Sequence, residues 1–456
     1  MIDKSQRKEV RPAFLASLVV LAGVAVAGIL FLGLRHSQPP APAVTDDQTA
    51  ATTSAPSPEP TQPVSSEPAS APTAKPAPAQ TQIPNAAAVE SPTSVPKLAK
   101  TLNDETQPLK ARAAAAKALA AEGSYEAITA LAGALPNSPD ALRAAIAQAL
   151  GTSPSAQSVP MLAGMLSDAS EAVALAAVRA LADQGTPQAI ASLSQSLFDL
   201  STALNVRCET ALALGSIDQP GIVDVLARAT TGITDEDVVT QVLNALGSRD
   251  ISETKGAFQN YLSSATVSPE MKVTAVEAIG QTQGDASAFL ASIAQDQTQP
   301  ADVRAAAAWA MSTTQTEGTQ GPQLTTMLQT ETDPDVRRRI YQALANQEDF
   351  DVSTIQAMVQ KETDKTVQVA GLDLLAGQLR QNPSSSLQSF FDQTAAPELK
   401  NLALNDTTAS DRMAAVVALV RAGTPDAMAA LQQLIQQSTD PRVIQSARSG
   451  LTKPGH

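Results

Sequence analysis

Two histidines and one cysteine narrow the chemistry open to this 456-residue chain. His36 and His456 both lie outside the stretch that reads as folded, and Cys208 is the sole thiol. Ser-His-Asp and Cys-His nucleophiles need a histidine beside the attacking group, and protein zinc sites draw on several His or Cys ligands. A lone cysteine also rules out an intramolecular disulfide, and its small, half-apolar side chain reads most simply as packing. Carboxylates, hydroxyls, lysines and arginines remain. Asp235-Glu236-Asp237 has the acid density of a weak calcium site, yet lacks the alternating oxygen ligands and turn glycine of an EF-hand loop. It falls where a helix is expected to start, and acids there stabilise the macrodipole. A paired-carboxylate hydrolase needs two acids at a set separation in a cleft, which spacing along a chain does not establish. No GxGxxG, P-loop, nucleophile elbow, CxxC or HExxH occurs. These residues imply no cofactor, no metal and no catalysis. An enzyme using only carboxylates, Ser/Thr, Lys or Arg is the alternative from another class.

The elements that could position such residues must be helical. Hydrophobic residues make up 43% of the chain but aromatics only 3%, so the core cannot rest on large rings. Closely packed Ala, Leu and Val helices can manage without them. The net charge of −14 and pI near 4.7 make nucleic acid a poor partner.

Composition divides the chain into four stretches. Residues 1–12 carry Lys4, Arg7, Lys8 and Arg11. Residues 13–34 follow without a charge. As a helix they would be about 33 Å long, enough to cross a hydrocarbon core of about 30 Å. The basic residues ahead predict a single-pass signal anchor with a cytoplasmic N-terminus and everything later outside the cytoplasm. Ala25-Val26-Ala27 is also a possible signal-peptide cleavage site, which would yield a secreted soluble protein. The apolar run continues through Ile29-Leu30-Phe31-Leu32, which favours the anchor. Residues 35–97 contain no leucine and no aromatic and are rich in Pro, Ala, Ser and Thr, a composition that predicts a disordered tether. Residues 98–456 hold the remaining folding information. Their own balance is again −14, so the acidity belongs to them.

That last stretch is periodic. Ala or Gly, and once Leu, followed by an aliphatic recurs at Ala118, Ala149, Ala180, Ala213, Ala245, Ala278, Ala310, Ala343, Leu374, Ala418 and Gly450. The steps are 31 to 33 residues except one of 44, which predicts an extra helix or loop around residues 395–406. Counting from this anchor, positions −7, −3, 0 and +1 form an i, i+4, i+7, i+8 stripe, the buried face of a helix. Ser268-Pro269, Asp333-Pro334 and Asp440-Pro441 place an N-cap residue before a proline suited to the first turn. A second amphipathic segment precedes each of these helices, as with Ile190, Leu193 and Leu197. The pattern predicts an all-α, right-handed α-solenoid of about eleven helix–turn–helix repeats, with no strands.

Asp333-Pro334-Asp335-Val336-Arg337 with Ala343-Leu344 resembles a HEAT repeat of the short bacterial, phycobilisome-lyase-like kind. Pro300-Ala301-Asp302-Val303-Arg304 with Ala310-Met311, and Leu142-Arg143 with Ala149-Leu150-Gly151, are looser matches. The resemblance covers about 98–452 and implies a fold and a binding role rather than lyase chemistry. The basic column at −6 (Arg112, Arg143, Arg207, Lys272, Arg304, Arg337, Arg412) could be an anion ladder. In the family it is structural, which implies pairing with helix-start acids such as Asp237, Asp302 and Asp335. The second helix usually lines the concave surface in such stacks. Trp309, the only tryptophan, stands at −1, where most repeats carry a polar residue. Leu212 and Val417 share that column, and Cys208, Val273 and Met413 occupy −5. Trp is enriched among interface hot spots, so these six residues form the candidate protein-binding surface. The expectation is a membrane-tethered scaffold in the bacterial inner membrane, its repeats in the periplasm, binding a protein or peptide partner.

Overall fold

The computed structural model describes residues 94–314, 320–405 and 408–452. Among them, helices form eleven consecutive pairs, and the only β pairing is an isolated bridge between Asp250 and Gln283. The first helices of the pairs are α1 Val95–Asn103, α3 Tyr125–Ala134, α5 Ser158–Met165, α7 Pro187–Phe198, α9 Ile222–Gly232 and α11 Ile251–Ser263. The series continues with α13 Ser287–Gln295, α15 Gly321–Thr330, α17 Val352–Lys361, α19 (385–405) and α21 Pro425–Gln437. The second helices are α2 Leu109–Glu122, α4 Asp140–Gly151, α6 Glu171–Gln184, α8 Leu204–Ser216, α10 Glu236–Gly247 and α12 Pro269–Gly280. They end with α14 Ala301–Met311, α16 Pro334–Leu344, α18 Lys365–Gln381, α20 Ala409–Ala422 and α22 Pro441–Thr452.

The pairs are built as their punctuation predicts. Ser268 accepts a hydrogen bond from the Met271 N–H at 3.3 Å, Asp333 from Asp335 at 3.0 Å, and Asp440 from Arg442 at 2.9 Å. At Gly185 and Gly423 a left-handed glycine ends the second helix, Thr186 or Thr424 caps the next, and proline opens it. Only glycine takes that φ at no steric cost. Two boundaries differ from the composition reading. The first helix begins at Val95, inside the stretch read as linker; Pro96 lies in its first turn, where a missing N–H costs nothing. The 44-residue step holds no additional helix. Ser385–Phe390, a π-helical turn Phe391–Ala395 and Ala396–Asn405 run on as one long first helix, α19. Among the described residues no helix is long and apolar enough to cross a membrane. The predicted span 13–34 lies outside the described residues, as does most of the predicted tether.

Each interior second helix packs against the second helices on both sides, and all but α4 pack closely on their own first helix as well. The −7, −3, 0 and +1 stripe is buried almost throughout. So is position −2, from Ala116 and Ala147 to Tyr341 and Val416, because a helix flanked on both sides hides more than one stripe. The small anchor residue has a specific neighbour, position +2 of the preceding repeat. A Cβ placed on Gly215 would stand 2.6 Å from the Ala245 Cβ, and one on Gly247 would stand 2.6 Å from the Ala278 carbonyl oxygen. Gly151 meets Ala180 and Gly280 meets Ala310 in the same way. At the last joint the sizes are exchanged: Val420 holds +2 and Gly450 holds the anchor.

The row of first helices is less continuous. An open cleft of about 180 Å³ lies between α11 and α13, and one of about 600 Å³ between α15 and α17. The second-helix row stays closed at both places, since α12 packs on α14 and α16 on α18. At these two joints the stack opens on the first-helix row and closes on the other, so it bends there toward the second helices, whose row is the inner one.

Candidate protein-binding surface

The inner row presents positions −8, −5, −4 and −1 of each second helix, the faces left over once the core columns are buried. Trp309 is 38% exposed, Leu212 41% and Val417 43%. Cys208, Val273 and Met413 are half-buried and pack against the core, since −5 borders the buried stripe. The six residues do not converge on one site. Cys208 and Leu212 lie one turn apart on α8, and Met413 and Val417 one turn apart on α20. Val273 on α12 and Trp309 on α14 lie on adjacent helices. At roughly 8–10 Å between packed helices, the first and last of these patches are about 50–60 Å apart.

Trp309 has a partner that sequence reasoning missed. The Arg339 guanidinium sits 5.3 Å from the indole centroid, a cation–π distance, and donates to Gln342 Oε1 at 3.0 Å. Arg339 is at −4 of the next repeat, so adjacency of the −4 and −1 columns in neighbouring helices was the available signal. Glu277, at −1 of the preceding repeat, makes no hydrogen bond or ion pair among the described residues. Desolvation raises its pKa, and the nearby charge of Arg339 offsets this only in part. Desolvation also lowers the pKa of Arg339, as does the like charge of Arg338. Both groups are partly desolvated by their neighbours beside the Trp309 ring, although Glu277 itself is exposed.

Cys208 is a free thiol whose pKa is raised, first by burial and then by Asp237 and Asp235. A raised pKa leaves little thiolate near neutral pH. Alkylation by iodoacetamide at pH 8 should therefore be several-fold slower for Cys208 than for an unstructured cysteine peptide. An equal or faster rate would contradict this environment. Asp235 accepts from the N–H groups of Asp237 and Val238 and so caps α10, and no group of three possible ligands gathers among the described residues.

The arginines of the basic column are structural, whereas the Lys272 side chain makes no hydrogen bond or ion pair among the described residues. Arg143 meets a helix-start acid, Asp140, at 3.2 Å, but the other acid partners are not those expected. Arg143 pairs with Asp168 at 2.7 Å, Arg304 with Glu331 at 3.1 Å, Arg337 with Glu362 at 3.0 Å and Arg412 with Asp440 at 3.0 Å. Each acid belongs to the following repeat, just ahead of its second helix. Several of the arginines also donate back to their own repeat, to the Ser138, Gln299 or Thr332 carbonyl. They therefore clip neighbouring repeats together. Asp335 turns instead to Arg338, and Asp237 and Asp302 carry no ion pair among the described residues. Arg207 is buried and donates to the Leu197 carbonyl at 3.1 Å, but its Nη2 has no partner. Ile233 stands at −12, where Asp168, Glu331 and Glu362 stand in their repeats.

The larger cleft is lined by Leu328, Tyr341, Thr354, Met358, Lys361 and the Arg337–Glu362 pair, among others. Its acid is already held by two guanidinium hydrogen bonds, from Nε at 3.1 Å and Nη2 at 3.0 Å. Such a carboxylate is poorly placed to act as a general base.

A sequence model described as HEAT repeats matches residues 137–204 and 258–345. Kap121p bound to Ste12p is similar in structure, with a TM-score of 0.51 and 14% identity over 78% of this chain and 45% of that one. Kap121p bound to Nup53p gives a TM-score of 0.50 with the same identity and coverage. The chain thus spans less than half the length of these structures. Human deoxyhypusine hydroxylase shares 20% identity over 78% of this chain and 94% of its own, but at a TM-score of 0.24 the likeness supports no argument. No curated protein matches in sequence. Repeat pattern and helix pairing make residues 95–452 an α-solenoid, within which 137–204 and 258–345 match HEAT repeats.

Proposed function

We propose that this chain is a non-catalytic scaffold that binds another protein or peptide along its second-helix row, while residues 13–34 hold it in a membrane. The division of labour along the second helices carries the reading. Core columns repeat from unit to unit, whereas the exposed −1 column changes from Lys117 to Leu212, Glu277, Trp309 and Val417. A face freed of packing constraint and varied along its length suits recognition of an extended partner. Kap121p, which shares the fold, has been solved with other proteins bound. The uncharged run at 13–34, preceded by basic residues, supports an anchor with the repeats outside the cytoplasm.

Photo-crosslinking amino acids placed at Leu212, Trp309 and Val417 of the full-length chain in intact cells test the binding role. A discrete adduct with another protein is expected from these sites and not from exposed first-helix sites such as Asp224 or Asp426. Equal labelling from both faces would remove the second-helix row as the docking surface. The anchor predicts that the chain stays in the membrane fraction after carbonate washing, with the repeats open to protease from outside. Recovery of a soluble form beginning at Gly28 would show cleavage instead.

A further inference from the structure

The second-helix row is not uniform in charge. In repeats five to seven its exposed columns hold Asp237, Glu270, Glu277 and Asp302 and no lysine or arginine. None of these four has an ion pair among the described residues; the −6 residues of the same repeats are Val239, Lys272 and Arg304. Arg304 is turned to Glu331, which leaves Lys272 as the one cation there not tied to an acid among the described residues, so the four carboxylates outnumber it and the inner face keeps a net negative charge. Beside it lies Trp309, with its ring already accepting a guanidinium from Arg339. Glu277 is next to it in the −1 column, exposed to solvent yet partly desolvated by its surroundings. An aromatic face beside an unpaired carboxylate favours a cationic side chain, which gains both the ring quadrupole and the charge.

We propose that the inner face of α10, α12 and α14 docks an extended basic segment of a partner protein, with an arginine or lysine of that segment seated on Trp309 beside Glu277. This rests on the second-helix row being the docking face, and it adds the chemistry of the occupant. The acids guide a cationic segment to the row and set its direction along it, because electrostatic complementarity acts chiefly on approach and register. Arg339 holds the place in the absence of the partner and moves aside or shares the ring when it arrives.

Trp309 is the only tryptophan in the chain, so its fluorescence reports occupancy directly. The full-length protein in neutral detergent is titrated with an extended arginine–glycine–serine peptide and with the same peptide carrying glutamate for arginine. The arginine peptide should change the emission saturably, more weakly as salt is raised, and the glutamate peptide should not. The triple variant Glu270→Gln, Glu277→Gln, Asp302→Asn should weaken binding about tenfold. A triple variant of unpaired first-helix acids, Glu126→Gln, Asp224→Asn, Asp426→Asn, removes the same charge elsewhere and should stay within about twofold. Arg339→Leu should tighten binding by removing the competing cation. Equal weakening in both triple variants, no response from Trp309, or a response to the glutamate peptide overturns the proposal. In each case crosslinking from the second-helix row can still succeed, which separates failure of the basic occupant from failure of the docking face.

Discussion

Replacing Arg304 with Met should cost about 3–5 kcal/mol of local stability, because it leaves Glu331 buried without its partner. Arg304 is 7% exposed and Glu331 8%, and two guanidinium nitrogens meet the carboxylate at 3.1 and 3.3 Å. In a solenoid each repeat touches only its neighbours, so the loss should appear as faster amide exchange in α13 to α16 before any global transition. Adding Glu331→Leu should restore most of the stability, since a matched apolar pair carries no desolvation cost. Failure of the double variant to recover would mean that the pair is needed for packing rather than for charge compensation. The same pair has a pH signature. Burial opposes the charge on Glu331, but hydrogen bonds from Arg304 and from the Asp333 N–H outweigh it and keep the carboxyl below its ordinary value. Asp168 is likewise lowered, chiefly by Arg143. A carboxyl that binds its proton less readily when folded adds stability above its unfolded value, near 4. That contribution is lost as pH falls through the lower folded value. Wild type should therefore weaken below about pH 4. In Arg304→Met the isolated Glu331 takes up a proton more easily, so its deficit should shrink between pH 7 and pH 5.

Two glycine substitutions of identical chemistry should move stability in opposite directions. Gly247→Ala puts a methyl 2.6 Å from the backbone carbonyl oxygen of Ala278, a contact relieved only by parting α10 from α12. Overpacking of this kind costs about 1–3 kcal/mol, and a glycine at the end of a helix returns little in propensity. Gly256→Ala, inside α11, meets no atom within 4 Å. There the gain in backbone entropy and helix propensity should stabilise by about 0.5–1 kcal/mol. Thermal melts of the two variants against wild type decide the matter. Equal effects would mean that the second helices are not held at contact distance.

Much of this architecture was legible in the chain because its causes are local. The anchor period, the −7, −3, 0, +1 stripe and the N-caps at Ser268, Asp333 and Asp440 each involve residues within one or two turns. What escaped reading lies between repeats. The burial of position −2 follows from a neighbour on the far side of the helix, which one amphipathic stripe does not disclose. The Arg–acid clips join residues 25 to 28 apart, beyond the reach of helix-start pairing. At the candidate surface, the exposure of Trp309, Leu212 and Val417 was visible in the −1 column. Their dispersal over separate patches, and Arg339 on the Trp309 ring, depend on how helices stack.

The joints between repeats also record an order. Gly215 with Ala245 and Gly247 with Ala278 are interchangeable fits, small against small, so units of that kind can be copied side by side without conflict. Val420 with Gly450 is a different key. Deleting repeat ten would set Ala376 over Gly450 and leave a hollow, whereas moving it ahead of an alanine-bearing unit would drive Val420 into a backbone. A Cβ on Gly371 would stand 2.5 Å from Val359 Cγ2 and 3.3 Å from the Tyr341 ring, which makes it a second tight position in this part of the array. The C-terminal part of the array is therefore spelled in one sequence of units, while its middle remains open to duplication.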